Sequence, residues 1–286
     1  MQGYDALKHG ATGLVADAKV ALESISSILG DHTKTMPDPS IRTKWLAQVD
    51  HHCRDRIGDQ GYLAIDAEVI GAVQRTSNVS TIAMCAAGTM PGALKLLWQP
   101  SQGGYHVEYG FSCMGYEVAG AMGLKLAKPY RDVICFVGDG SYMMANSELA
   151  TAVMRKIPYT VVLTDNRGYG CINRLQTGTG GAAFNNLYAD TREVAQPQID
   201  YVAHAASMGA KAVKATGIAD LEAKLIKSKG SDIPVVIVIE TDPRHGPTDA
   251  GGGAWWDVGI PEVSDRAEVK ASHADYLEHK KTQRSD

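Results

Sequence analysis

Two apolar runs end in residues that could hold a cation and an anion together. DVICFVGDGS closes on Gly138-Asp139-Gly140-Ser141, and YTVVLTDN closes on Asp165-Asn166. A carboxylate, an amide oxygen and a backbone carbonyl form a hard oxygen set that suits Mg2+, which commonly shares its coordination with a diphosphate. The diphosphate has its own expected seat. Gly140 and Ser141 open the next helix, where unpaired N–H groups favour an anion and the missing side chain at Gly140 lets phosphate approach the backbone. Taken alone, Gly-Asp-Gly reads more readily as a turn. The intervening chain gives it weight: a helix of about fifteen residues over 142–156 advances ~22 Å at ~1.5 Å per residue, and a strand over 159–165 returns about as far. If the two strands are neighbours, one crossover returns Asn166 to the edge where Asp139 sits.

The elements that must do this positioning are legible from about residue 66 onward. IDAEVIGAVQRTS reads as a helix, STIAMCAAG as a strand, MGYEVAGAMGLKLAK as a helix rich in small residues, and DVICFVGDG as a strand. SYMMANSELATAVMRK follows as a single helix and YTVVLTDN as a strand. IDYVAHAASMG is then a helix, KAVKA a short strand, GIADLEAKLIKSKG a helix and PVVIVIETD the last strand. Strands so continuously apolar, each separated by a helix, predict a doubly wound, mainly parallel α/β sheet with helices on both faces. Ligands of such sheets collect beyond the C-terminal strand ends, here AAGTMPG, GDGS, DNRGYG and ETDPRHG. Ahead of the sheet, Val15, Ala18, Leu22, Ile25 and Leu29 share one helical face, with Gly30 as a stop. A Pro-bearing linker and a mostly polar second helix, IRTKWLAQVDHHCRDR, follow. After about Gly251 the chain returns to loop and one charged helix near HADYLEHKK.

Composition narrows the classes. Apolar residues at 44% and charged residues at 21% describe a soluble globular protein. A net charge of −4 without a dense Lys/Arg stripe argues against a nucleic-acid surface. No run approaches the ~18 apolar residues of a membrane span, and the N-terminus lacks an apolar signal region. Five cysteines without paired CxxC spacing are expected to be reduced thiols in a cytoplasmic protein.

GDGS, a spacer of one helix and one strand, and Asn at the strand end together resemble the motif of thiamine-diphosphate-dependent enzymes. The resemblance implies that Asp139, the Asn166 side chain and the Gly168 carbonyl bind Mg2+, and that Gly140 and Ser141 take the diphosphate. YGFSCMGYEVAGAMG is similar to the family's loop before a helix. There Met114 would prop the cofactor in its bent form, and the Ser112 carbonyl and Met114 N–H would hold the aminopyrimidine ring. Thr89 in AAGTMPG matches a loop that touches the diphosphate, an ordinary turn being the alternative. KHGATGLVADAK, TMPGALKLLW, YHVEYGFSCMGYEVAG, DNRGYGCINRLQ and AWWDVGIPEVS resemble the branch that opens a trihydroxycyclohexanedione ring in inositol catabolism. The similarity covers nearly the whole chain but about the C-terminal half of such an enzyme.

The family has pyrimidine-binding, central and pyrophosphate-binding domains. By resemblance, residues 1–58 match the end of the central domain with a linker, 59–250 the pyrophosphate and Mg2+ domain, and 251–286 a tail. The implied chemistry is C–C cleavage of a small cyclic dione followed by hydrolysis to a carboxylate. The family's activating Glu comes from the pyrimidine domain, usually of a partner subunit, so no residue here takes a catalytic role. The expectation is a chain that binds thiamine diphosphate and Mg2+ weakly, turns over little alone, and needs a pyrimidine domain from another chain or a further part. The full-length form would be a homo-oligomer such as a dimer. Ile172 stands where pyruvate decarboxylases carry a catalytic Glu, and Ala93 where a polar residue is expected. An acetolactate-synthase-like carboligase half and a non-catalytic cofactor-binding or assembly module are the alternatives. His106 and Glu108 face either substrate or solvent at a strand end; His51-His52-Cys53 reads as a solvated helix face, and Trp255-Trp256 as packing.

Overall fold

The computed structural model describes residues 3, 6, 10–32, 38–54, 60–192, 195–245 and 260–281. Six strands among them form one sheet: β1 (Ile82–Cys85), β2 (Tyr105–Val107), β3 (Val133–Gly138), β4 (Thr160–Asp165), β5 (Lys211–Ala215) and β6 (Val235–Glu240). All pairings are parallel, in the order β2-β1-β3-β4-β6-β5. Side chains alternate between the two faces of each strand, and both faces are covered. Ala83, Cys85, Ile134, Phe136, Val162, Ile237 and Ile239 join one core. Its cover is α3 (Asp66–Thr76), α4 (Met90–Leu97) and α10 (Ile218–Ser228), through Ile70, Leu94 and Leu221 among others. Met84, Cys135, Val137, Val161, Leu163, Val236 and Val238 join the other. That side is covered by α5 (Tyr116–Ala127), α6 (Asp139–Met144), α7 (Glu148–Met154) and α9 (Tyr201–Ser207), through Val118, Tyr142, Leu149 and Tyr201. The larger of these, such as Ile70, Leu94, Phe136, Val161 and Leu163, each contribute roughly 1.5–3 kcal/mol when fully buried, which is why the doubly wound sheet follows from these apolar runs.

The sheet order places the site. From β1 the chain turns to β2 on one side and then crosses to β3 on the other, so β1 and β3 flank a topological switch point. β3 and β4 are direct neighbours, with Gly138 in register with Thr164. Asp139 and Asn166, one and two residues further on, therefore leave the same sheet edge.

The segment after GDG differs from its expected single helix. α6 already begins at Asp139, and the chain leaves helical geometry at Ala145 (φ −154°, ψ 87°) before α7 starts at Glu148. The Asn146 amide donates to the Tyr142 carbonyl at 3.0 Å, so a side chain takes over backbone bonding at the break. The crossover still returns Asn166 to Asp139 because the strand pairing, not helix length, sets the geometry. α4, β2 and α8 (Gly170–Gly178) are elements not anticipated from periodicity.

The chain divides into two compact units, and the sheet lies in residues 46–178 with 182–252. α2 (Pro39–Arg54) crosses the division, and its C-terminal part gives Val49 and Cys53 to the sheet unit's core. The other unit holds residues 1–45, 179–181 and 253–286, including α1 (Ala18–Leu29) and α11 (Ala267–Lys280). The expected apolar face of α1 is exposed at Leu22, Ile25 and Leu29. Trp255, Trp256 and the triple glycine lie outside the described residues. No described helix is long and apolar enough to cross a membrane.

Candidate cofactor-binding site

Asp139 is 1% exposed at the first position of α6. The Gly168 N–H donates to its Oδ2 at 2.9 Å. Burial first, then the charge of Asp165, pushes the Asp139 carboxyl up to about 7, against the opposing pull of backbone N–H bonds from Gly168, Gly140 and Asn166. The Asn166 amide sets one of its two polar atoms 3.3 Å from Asp139 Oδ1 and 2.8 Å from the Gly168 carbonyl oxygen. With nitrogen on that side these are hydrogen bonds; with oxygen on that side, three oxygens converge. Cis ligands of an octahedral Mg2+ at ~2.0–2.1 Å lie about 2.9 Å apart, so the spacing fits a shared cation. The local backbone is built for this turn. Arg167 adopts φ +57°, and Gly168 adopts φ +147°. A Cβ at Gly168 would stand 2.4 Å from the Asn186 carbonyl oxygen, so glycine is required here.

The residues expected to touch the diphosphate and pyrimidine lie on three segments of the same edge. A Cβ at Gly140 would lie 2.6 Å from the ring of Tyr169, so that glycine leaves room for the ring as well as for an anion. Ser141 is buried, and its hydroxyl is committed within the protein: it donates to Glu117 at 2.8 Å and accepts from the Gly115 N–H at 2.8 Å. Its backbone N–H is the group left to meet an anion. Ser112 (φ +52°) and Met114 are exposed on the loop before α5, which Glu108 secures by accepting the Cys113 N–H at 2.9 Å. The Thr89 hydroxyl sits between Arg174, which donates to it, and Asp66. Arg174 also lies 3.7 Å from Asp66 and donates to the Pro243 carbonyl at 3.1 Å. Burial raises the Asp66 carboxyl while the Arg174 charge lowers it.

Glu117 and Arg174 are the polar residues of this edge that sequence reasoning passed over. The available signal at Glu117 was a lone carboxylate in an otherwise small and apolar helix start. Other candidates resolve simply. His106 meets the Tyr116 hydroxyl at 3.2 Å, Ala93 is buried in the core, and Ile172 is exposed on α8. Cys53 turns into the core while His51 is exposed, and no group of three or more His, Cys, Asp or Glu that could hold a metal occurs among the described residues.

Sheet order, two-sided cover and a polar switch-point edge define the class: a doubly wound α/β ligand-binding domain. Solved structures of similar fold include benzoylformate decarboxylase from Polynucleobacter necessarius, with TM-score 0.55 and 19% identity over 63% of this chain and 33% of that one. A second is the thiamine diphosphate-dependent 4-hydroxybenzoylformate decarboxylase of Rhodococcus jostii RHA1, with TM-score 0.54 and 23% identity over 61% of this chain and 32% of that one. The chain belongs to the thiamine pyrophosphate enzyme family: residues 86–239 match its C-terminal TPP binding domain. Thiamine diphosphate is accordingly its cofactor class. Over 98% of its length the chain is 34% identical to a 3D-(3,5/4)-trihydroxycyclohexane-1,2-dione hydrolase of Geobacillus thermodenitrificans. It is 33% identical over 96% of its length to the protein so named in Halalkalibacterium halodurans, and 37% identical over 91% to that of Bacillus cereus. The chain spans 48%, 46% and 41% of those three relatives.

Proposed function

We propose that this chain is the thiamine diphosphate- and Mg2+-binding part of a cytoplasmic enzyme of inositol catabolism that hydrolyses a ring C–C bond of a trihydroxycyclohexanedione. The observation that carries the reading is the convergence of Asp139, Asn166 and the Gly168 carbonyl at the β3–β4 edge, in a chain similar along nearly all its length to proteins of that name. Asp139, Asn166 and Gly168 would hold Mg2+. The backbone N–H groups of Gly140 and Ser141 would face the diphosphate, with Thr89 beside it. Met114 would support the bent cofactor, and the Ser112 carbonyl would accept from its aminopyrimidine. When bound, thiamine diphosphate supplies the nucleophilic carbon and electron sink that C–C cleavage beside a ketone needs. The net reaction adds water across one ring bond: oxygen stays on the carbonyl carbon as carboxylate, and hydrogen goes to the carbon released.

The proposal includes a pyrimidine-binding domain supplied from outside the described residues, which contain a single α/β sheet unit. Cofactor activation needs a carboxylate within hydrogen-bond reach of the ring nitrogen. Tyr109, Phe111, Met114, Tyr169 and Ile172 are all exposed on segments leaving this sheet edge, Phe111 at 91%. A rim of that kind suits burial against another domain, as in an oligomer of the whole enzyme. Calorimetric titration of thiamine diphosphate into the chain, with and without Mg2+, tests the binding part, and absence of Mg2+-dependent binding overturns it. Adding a pyrimidine-domain polypeptide with the cyclic dione should then produce acid. Turnover by the chain alone at the rate of the complemented pair rejects the need for the second domain, and consumption of pyruvate instead of the dione favours a carboligase.

A further inference from the structure

We propose that Glu117 is a positioning residue that ties the three cofactor-facing segments together, and that it holds the Ser141 hydroxyl away from the cofactor. Its carboxylate is 1% exposed. Oε1 accepts the Ala87 N–H at 3.2 Å, Oε2 accepts the Gly115 N–H at 3.0 Å, and both lie 2.8 Å from Ser141 Oγ. Ala87 stands two residues before Thr89, Gly115 directly follows Met114, and Ser141 directly follows Gly140. One side chain thus gathers the loop after β1, the loop before α5 and the start of α6, three segments far apart in sequence.

The Ala87 N–H, the Gly115 N–H and the Ser141 hydroxyl all donate to Glu117, and both of its oxygens are used. Only a carboxylate presents two acceptor oxygens at that reach; a glutamine must turn its NH2 toward Ala87 or toward Gly115, opposing an N–H. Burying a carboxylate without a basic partner is costly, so stability alone does not account for this residue. Its hydrogen bonds preorganise a site, as supporting residues behind ligand contacts do. The Ser141 hydroxyl has one proton, directed at Glu117, while its oxygen accepts from Gly115. It acts through Glu117 rather than as a direct ligand.

The significance of these segments rests on the thiamine diphosphate reading, but the tie itself is measurable without cofactor. Hydrogen exchange is followed in the full chain and in Glu117→Gln and Ser141→Ala, with thiamine diphosphate–Mg2+ affinity measured on each. Glu117→Gln should speed exchange at least about tenfold in both 86–89 and 112–116 while leaving β6 protected. It should weaken cofactor binding at least tenfold. Ser141→Ala, which removes one atom and keeps the helix, should speed exchange at Gly115. The double variant should bind no worse than Glu117→Gln alone, because coupled residues are not additive. Unchanged exchange in the two loops, loosening spread equally to β6, or losses that add fully would each overturn the proposal. If the unmutated chain fails to bind thiamine diphosphate, the functional reading falls while the exchange result still judges the tie. If it binds and Glu117→Gln binds equally well, the positioning role alone falls.

Discussion

The Asn166 amide sits where its oxygen is useful only if something positive joins it to Asp139 and the Gly168 carbonyl. In the proposed site, removing either side chain would take one protein oxygen from a cation that shares its shell with a diphosphate and water. Asp139→Ala and Asn166→Ala should each weaken Mg2+-dependent thiamine diphosphate binding about 100-fold or more, roughly 2.7 kcal/mol, in a calorimetric titration. A change under threefold in both would remove these residues from the metal site. Among the cysteines, Cys113 reports on the same edge, with buried Cys53, Cys85 and Cys135 as internal references. Burial pushes the Cys85 thiol up to about 12 and the Cys53 thiol up to about 11, and holds Cys135 well above the ordinary value. Cys113 is exposed between Ser112 and Met114, with partial desolvation and the Glu108 carboxylate raising its thiol. Because the thiolate is the reactive form, alkylation should rise with pH toward and beyond 8.5. At pH 8 Cys113 should be labelled well before Cys53, Cys85 or Cys135, read by peptide mass spectrometry. Thiamine diphosphate with Mg2+ should slow Cys113 several-fold if its loop closes on the cofactor.

At the scale of elements, the turn between β4 and α8 is the most constrained piece of the site. Gly168 combines φ +147° with a Cβ position 2.4 Å from the Asn186 carbonyl oxygen. Gly168→Ala should therefore cost on the order of 1–3 kcal/mol of stability, measured by urea unfolding, and displace the carbonyl offered to the cation. Unchanged stability would show that the turn relaxes freely. This turn was partly legible in the sequence because strand ends and their register follow from apolar runs: β3 and β4 had to pair for Asp139 and Asn166 to meet, and they do. The break at Ala145–Ser147 was not legible, since the apolar spacing of SYMMANSELATAVMRK continues across it and the Asn146 side-chain bond found there leaves no mark in that spacing. β2, only Tyr105–Val107, is too short to show a period. The contacts of Glu117 with Ser141 and of Arg174 with Thr89 join residues 24 and 85 positions apart, a pairing that no local pattern encodes.

For the whole molecule, the sheet unit carries a complete core on both faces yet keeps aromatic side chains such as Phe111 and Tyr109 in solvent at its ligand edge. Core and edge therefore answer to different requirements: folding is satisfied inside the unit, while the edge keeps the apolar surface that the proposed covering domain would bury. Anything that binds only the folded state adds stability by mass action, about 2.7 kcal/mol at a hundredfold excess over Kd. For a domain of this size that corresponds to roughly 5–10 °C in the unfolding midpoint. Since the proposed Mg2+ would be held by protein oxygens together with the diphosphate, neither partner should be sufficient alone. Thiamine diphosphate with Mg2+ should raise the midpoint by that amount, either component separately by clearly less, and EDTA should return the chain to its starting value. The exposed rim is expected to bind a hydrophobic dye before and after cofactor is added, because the proposed cofactor seat is the polar strand edge and Phe111, at 91% exposure, lies outside it. Dye fluorescence should fall only when the pyrimidine-domain polypeptide is added. A fall on cofactor addition alone would mean that the chain closes its own edge, and the rim would then be a lid rather than an interface.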